Sequence, residues 1–137
     1  MNFIFAEPPE PCVIRAKVAH GINDEKMLFT VLADILKFPD YFGMNWDALW
    51  ECIRDLSWLP AGHVNLIHHD MPFIGDKEKM SLYLSLLNDA VKLWETGGSN
   101  LIYLYPLTEK DNVDNLIIHR KLFVSFPIEY KKLIDDL

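Results

Sequence analysis

Cysteine and long apolar runs are both scarce in this sequence. Its 137 residues include two cysteines, Cys12 and Cys52, and its apolar stretches, such as residues 101–105, are short. A membrane-spanning helix needs roughly 20 apolar residues, so the sequence predicts no such helix. The first residues lack the basic and apolar segments of a signal peptide. We therefore expect a cytoplasmic protein with two reduced thiols and no membrane attachment.

Positive charge is scarce as well. Lysine and arginine together number 13 against 20 aspartates and glutamates, which gives a formal net charge of −7 at pH 7. A protein that binds nucleic acid directly needs a basic surface to neutralise phosphates, so this charge argues against direct nucleic-acid binding. An acidic protein suits a basic protein partner, although a net charge can also act only to keep a protein soluble.

The familiar motifs of catalysis and metal binding are missing. The sequence contains no GxSxG, P-loop, HExxH or CxxC motif. His68, His69 and Asp70 are adjacent. Neighbouring residues of a strand point to opposite faces, however, so the two histidines are poorly placed to share one ion. We therefore predict neither a metal nor a cofactor.

Half of the residues are hydrophobic, and they recur with the periods of strands and helices. The predicted elements in chain order are a strand over residues 12–19, a helix from the N-cap Asn23 to about residue 37, a helix after the N-cap Asn45, a strand over residues 63–69, a helix over residues 77–96 and a strand over residues 100–106. Helical connections between strands are typical of a mostly parallel sheet covered by helices, so we predict an α/β fold.

We expect one domain that spans residues 1–137. Its predicted parts are an extended, proline-rich lead-in over residues 1–11, a core over residues 12–105 and a C-terminal extension over residues 106–137. Within the extension, the pattern permits a further strand in residues 116–126 and a closing helix in residues 127–137.

The helix after Asn45 has two contrasting faces. When its residues are placed 100° apart, the apolar face consists of Leu49, Cys52, Ile53 and Leu56. The opposite, outward face consists of Asp47, Trp50, Glu51 and Arg54, with Trp46 at its flank. A tryptophan among charged residues does not suit a helix face that only water covers.

Two explanations of this outward face remain open. In the structural one, Trp46 and Trp50 pack beneath the preceding loop. An ion pair between Arg54 and Glu51 then offsets the repulsion between the two acids of the face. In the functional one, the aromatic and charged side chains form a protein-binding hot spot. Residues 38–56 carry an excess of three negative charges, so a partner of this hot spot is expected to be basic.

Residues 36–53, with the sequence LKFPDYFGMNWDALWECI, resemble the barstar family of intracellular inhibitors of secreted ribonucleases. The shared pattern is proline, an acid, tyrosine, an aromatic residue and glycine, followed by Asn-x-Asp-Ala-Leu-Trp-acid-Cys. Together with the order of strands and helices, the resemblance covers roughly two thirds of the chain. It implies a barstar-like fold, in which helices pack on a small, mostly parallel three-stranded sheet.

The resemblance also implies a function. Such a protein is a bacterial immunity protein of the toxin–antitoxin type, which binds one basic ribonuclease toxin as a monomer. It occludes the active site of the ribonuclease with the second helix and the loop before it. Tyr41 and Trp50 are then aromatic anchors, and Asp47 and Glu51 are mimics of substrate phosphates. The predicted partner-binding residues are Tyr41, Phe42, Gly43, Asn45, Trp46, Asp47, Trp50, Glu51 and Arg54.

Several positions depart from the family pattern, among them Leu56 in place of the family tryptophan, and two of the departures change the charge or reach of the outward face. Glu51 stands where the family has its key aspartate, and its side chain is one methylene longer. Arg54 stands where the family has a threonine. Its positive charge would meet a basic enzyme unfavourably unless Glu51 neutralises it. These departures indicate a partner different from the ribonuclease of the best-known pair.

Two other functions stay open at this point. The same fold and helix could serve a regulatory or scaffold module whose partner is not a nuclease. A small hydrolase could use Asp47 and Glu51 as an acid–base pair. These carboxylates are predicted on an outward helix face and not in a concave pocket, which argues against the hydrolase. The sequence does not distinguish a partner that cleaves RNA from one that cleaves DNA.

Overall fold

The computed structural model of this protein describes residues 3, 5, 13–59, 63–95, 102–105, 116–119 and 121–136. Its elements in chain order are β1 (Val13–Val18), α1 (Glu25–Ile35), α2 (Trp46–Asp55), β2 (His63–His68), α3 (Lys77–Glu95), β3 (Ile102–Tyr105), β4 (Leu116–His119), β5 (Lys121–Ser125), a 3-10 helix (Ile128–Tyr130) and α4 (Lys131–Asp135). No helix in these described ranges is long and apolar enough to cross a membrane.

A three-stranded parallel sheet forms the centre of the fold, with β2 between β1 and β5. In its register, Leu66 lies opposite Ala16 on one side and Val124 on the other, and all three are buried. Helix α1 packs against β1, and α3 packs against β5. The predicted α/β class with a three-stranded parallel sheet is confirmed.

The third strand of this sheet differs from the prediction. A strand does form within residues 100–106, but β3 pairs antiparallel with β4, and Tyr105 lies opposite Leu116. These two strands make a separate two-stranded sheet, and β5 takes the third place in the parallel one. The assignment of residues 100–106 to the parallel sheet was therefore wrong. Strand periodicity identifies a strand but does not specify its partner.

The end of the chain contributes to the core. Leu122 and Val124 of β5 and Ile134 of α4 are buried. The sequence pattern permitted one strand in residues 116–126, and the structure has two, β4 and β5. The division into lead-in, core and extension stays a prediction about domain organisation.

Helix α3 buries one apolar stripe in the core. Its buried residues are Met80, Tyr83, Leu84, Leu87, Ala90, Val91 and Trp94.

In α1 the first turn starts one residue later than expected, since Asp24 and not Asn23 is the N-cap. The Met27 amide donates to Asp24 Oδ1 at 2.7 Å. Asparagine and aspartate are about equally favourable at the N-cap. The sequence therefore does not decide whether Asn23 or Asp24 begins α1.

One histidine is sealed in the core between β2, α3 and β5. His68 Nε2 lies 2.6 Å from the Tyr83 hydroxyl, and Nδ1 lies 3.1 Å from the Ser125 carbonyl oxygen. Its ring stacks on Phe126 at a centroid distance of 4.1 Å. Burial lowers the pKa of His68 from 6.5 to about 3, so the ring is neutral at physiological pH.

The neighbouring His69 lies just beyond the end of β2 and is exposed. The His69 ring stacks on His20 at a centroid distance of 5.3 Å. Among the described residues, no group of three His, Cys, Asp or Glu side chains is placed to hold a metal ion.

Candidate protein-binding site

The start of α2 is fixed by the cap that the sequence predicted. Asn45 Oδ1 accepts from the Ala48 amide at 2.7 Å, and Asn45 Nδ2 donates to the Gly43 carbonyl oxygen at 3.2 Å. A Cβ at Gly43 would lie 3.1 Å from Asn45 Nδ2, so glycine leaves room for the cap. Asp47 is exposed in the first turn, where the helix dipole favours a negative charge.

The inner face of α2 anchors the helix to the core. Leu49, Cys52 and Ile53 are buried, as is Leu56 just after the helix, which confirms the predicted apolar face. Trp94 of α3 donates through Nε1 to the Ile53 carbonyl oxygen at 3.1 Å. The outward face of α2 is therefore held on a rigid, well-packed element.

Glu51, Arg54 and Trp50 of α2 lie side by side. The Arg54 guanidinium donates through Nη2 to both carboxylate oxygens of Glu51, each at 2.7 Å, which confirms the predicted ion pair. The same guanidinium lies 5.5 Å from the centroid of the Trp50 ring, within the range of a cation–π contact. Arg54 thus partly neutralises Glu51 and covers part of Trp50. Any basic partner has to share or displace this arginine.

The two tryptophans of α2 differ in their surroundings. Trp46 is half-buried, and its Nε1 donates to Glu25 Oε2 at 2.9 Å. Its ring meets Phe29 edge-on at 5.2 Å and Phe73 at 6.2 Å. Trp46 therefore joins α2 to α1, whereas the structural explanation placed it beneath the preceding loop. Trp50 is half-buried against the core.

The loop before α2 presents one aromatic side chain to solvent and packs another against the core. The Tyr41 side chain is 73% exposed, so most of its ring is in contact with water. Phe42 packs on Phe38 at 4.8 Å and on Phe29 at 6.2 Å. The loop is therefore tied down by Phe42, while Tyr41 beside it stays available for contact.

An open pocket lies between this loop, α2 and α3. We call it the α2 pocket. Its volume is about 570 Å³, and its lining consists of Tyr41, Phe42, Ala48, Glu51, Cys52, Arg54, Asp55 and Leu93. Burial raises the pKa of the Cys52 thiol, and the negative charges of Asp55 and Glu51 raise it further. The lining therefore combines apolar side chains with two carboxylates and one guanidinium.

Sequence reasoning found only part of this pocket. Ala48, Cys52, Asp55 and Leu93 were not among the predicted partner-binding residues. Asp55 carried a signal, because it adds to the negative charge of residues 38–56. Leu93 carried none, since its place beside α2 depends on how α3 packs. Asp47 does not line the pocket, and Glu51 is bound to Arg54. The α2 pocket therefore does not bring together the acid–base pair that a hydrolase would need.

A charged helix face beside an exposed tyrosine resembles the surfaces through which proteins bind other proteins. Residues 14–106 match the family model described as Barstar (barnase inhibitor), which is more than half of the chain. The chain therefore belongs to the barstar family. Barstar-family inhibitors are non-enzymatic, in agreement with the argument from the sequence against a hydrolase.

One relative is similar over a short segment. A protein of Bacillus subtilis (strain 168), named "Putative ribonuclease inhibitor YrdF", is 49% identical over 35 residues. That segment is 26% of this chain and 38% of the relative, so the match spans well under half of that protein. No solved structure matches the chain.

Proposed function

We propose that this protein inhibits a basic ribonuclease by covering its active site with α2 and the loop before it. Membership of the barstar family gives the class of partner, an enzyme of the ribonuclease type. The observation that carries the proposal is the exposed pair of carboxylates, Asp47 and Glu51, on the outward face of a firmly packed helix. Such carboxylates can occupy the positions in which a ribonuclease binds substrate phosphates.

Electrostatics favour rapid association with such a partner. The chain carries a net charge of −7, and residues 38–56 alone carry an excess of three negative charges. A basic active-site cleft attracts such a surface over distances of about 10 Å at moderate ionic strength. Added salt should therefore slow association more than it speeds dissociation.

The side chains of the site take different roles in this proposal. Tyr41, which is largely exposed, packs against the enzyme as an aromatic anchor. Glu51 meets the cationic groups of the active site, while Arg54 turns from Glu51 toward solvent or toward an acid of the partner. Gly43 and Asn45 act by holding the loop and the start of α2 in place. Trp46 supports the helix from the side of α1.

The proposed biological setting is immunity. A bacterial cell that makes a ribonuclease toxin needs an inhibitor in its own cytoplasm, and a monomer that binds one toxin molecule meets that need. This setting rests on the family and stays a proposal for this chain.

The test is capture followed by an activity assay. The purified chain is immobilised, proteins of the producing cells are bound at low salt, and the bound fraction is eluted with salt. The eluate should degrade RNA, and free chain added back should stop this degradation at a ratio of one to one. An eluate whose RNA degradation is unchanged by excess chain would contradict the proposal. A captured protein without nuclease activity would instead support the regulatory or scaffold alternative.

A further inference from the structure

The α2 pocket contains one acidic side chain whose charge is not balanced. Arg54 pairs with Glu51 at 2.7 Å, so these two lining residues compensate each other. Asp55 is half-buried and makes no ion pair with any described residue. The lining therefore carries a net negative charge that belongs to Asp55.

The position of Asp55 in the helix has no evident structural benefit. It is the last residue of α2, where the carbonyl groups already make the environment negative. A carboxylate at that end of a helix is unfavourable unless a cation lies nearby. The nearest cation of the lining, Arg54, is already engaged by Glu51. A positive group from outside would remove this conflict.

The remaining walls of the pocket suit a long aliphatic stem. Phe42 and Leu93 are half-buried and apolar, and Ala48 and Cys52 contribute small apolar surface. Tyr41 stands at the rim with most of its ring exposed. Arginine and lysine side chains pack their methylene groups on such surfaces and keep the charged end free for a carboxylate. The volume of about 570 Å³ lies in the range of pockets that enclose ligands of this size or larger.

We propose that the α2 pocket receives an arginine or lysine side chain of the ribonuclease, with Asp55 as its counter-ion. The inference rests on the proposed function for the identity of the partner. It adds a second point of contact to the outward face of α2, on the side that faces α3. It also gives Asp55 a function, because the proposed role of the outward face does not explain a carboxylate at the end of α2.

The pocket itself can be tested without any ribonuclease. The probe is n-butylguanidinium, which reproduces the end of an arginine side chain, and its uncharged analogue n-butylurea is the control. In NMR titrations the guanidinium should shift signals of Ala48, Cys52 and Leu93 with a dissociation constant on the order of 10 mM, as expected for so small a ligand. The Asp55→Asn variant should bind it about fivefold more weakly, and n-butylurea should bind neither protein.

Two outcomes of the titration would overturn the inference. One is an equal response of the wild type and Asp55→Asn, and the other is an absence of saturable shifts at the pocket. The control variant is Asp34→Asn, which removes the same charge from an exposed position of α1 outside the pocket. Asp55→Asn is expected to fold, because it removes a negative charge from the C-terminal end of a helix.

A second experiment connects the pocket to inhibition. Against the captured ribonuclease, Asp55→Asn should bind about tenfold more weakly through faster dissociation, whereas Asp34→Asn should change mainly the association rate and by a factor of about two. Equal affinities of the two variants would show that the pocket is empty in the complex. If the wild type inhibits no ribonuclease, the proposed function fails, and the probe titration still decides whether the pocket binds cations.

Discussion

The buried histidine predicts how the stability of this protein depends on pH. His68 is 2% exposed, and its two ring nitrogens face the Tyr83 hydroxyl and the Ser125 carbonyl oxygen. In the unfolded chain the ring binds a proton with a pKa near 6.5, whereas burial lowers this pKa to about 3 in the folded protein. Protons therefore bind the unfolded state more readily, and acid destabilises the fold through this residue.

The size and the sign of the change in stability follow from these two pKa values. Above about pH 7 the ring is neutral in both states, so the full stability is present. As the pH falls below 6.5, the unfolded state gains protons first, and stability is lost progressively toward pH 3. Linkage gives a loss of about 2 kcal/mol at about pH 5 relative to about pH 8.

The assay is urea unfolding, followed by tryptophan fluorescence at several pH values between 8 and 5. The comparison is between the wild type, His68→Gln and the control His69→Gln, which changes the exposed neighbour. His68→Gln is expected to be less stable throughout but to lose about 2 kcal/mol less on acidification than the wild type. His69→Gln should follow the wild type. The reasoning is refuted if His68→Gln and the wild type lose the same free energy of unfolding over this range.

Two further predictions concern α2. Asn45→Ala removes the oxygen that accepts from the Ala48 amide, so the free energy of unfolding should fall by about 1 kcal/mol. Thermal denaturation measures this loss, and Asn45→Ser, which keeps a capping oxygen, should restore most of it. Arg54→Ala releases Glu51 and removes a positive charge, so association with a basic ribonuclease should become a few times faster. The free energy of unfolding should change by no more than about 0.5 kcal/mol, since the pair is largely exposed; slower association would show that Arg54 contacts the partner favourably.

Local features of α2 were predictable because they depend on residues close together in sequence. The cap at Asn45 and the Glu51–Arg54 pair each join residues three positions apart, and the ends of the apolar face, Leu49 and Leu56, are only seven positions apart. Helical geometry alone relates such residues. The same holds for the buried stripe of α3. A sequence pattern contains this information directly.

Features that depend on distant contacts were not predictable in the same way. The third place in the parallel sheet is taken by β5, whereas β3 pairs with β4. The sequences of β3 and β5 are both rich in apolar residues, so composition did not show which of them joins the parallel sheet. Trp46 contacts Glu25, which lies 21 positions earlier in the chain. Its partner was therefore not visible in the periodicity of α2. The α2 pocket depends on Leu93 of α3 for the same reason.

The central claim is that α2 inhibits a ribonuclease through its outward carboxylates. The most direct measurement is an inhibition titration of the captured ribonuclease with the wild type, Glu51→Ala and the control Glu129→Ala, whose exposed acid lies in the 3-10 helix. Glu51→Ala should weaken inhibition by at least about 30-fold, the loss typical of a hot-spot residue, while its unfolding curve stays close to that of the wild type. Glu129→Ala should inhibit as the wild type does. Equal inhibition by Glu51→Ala and the wild type would contradict the account.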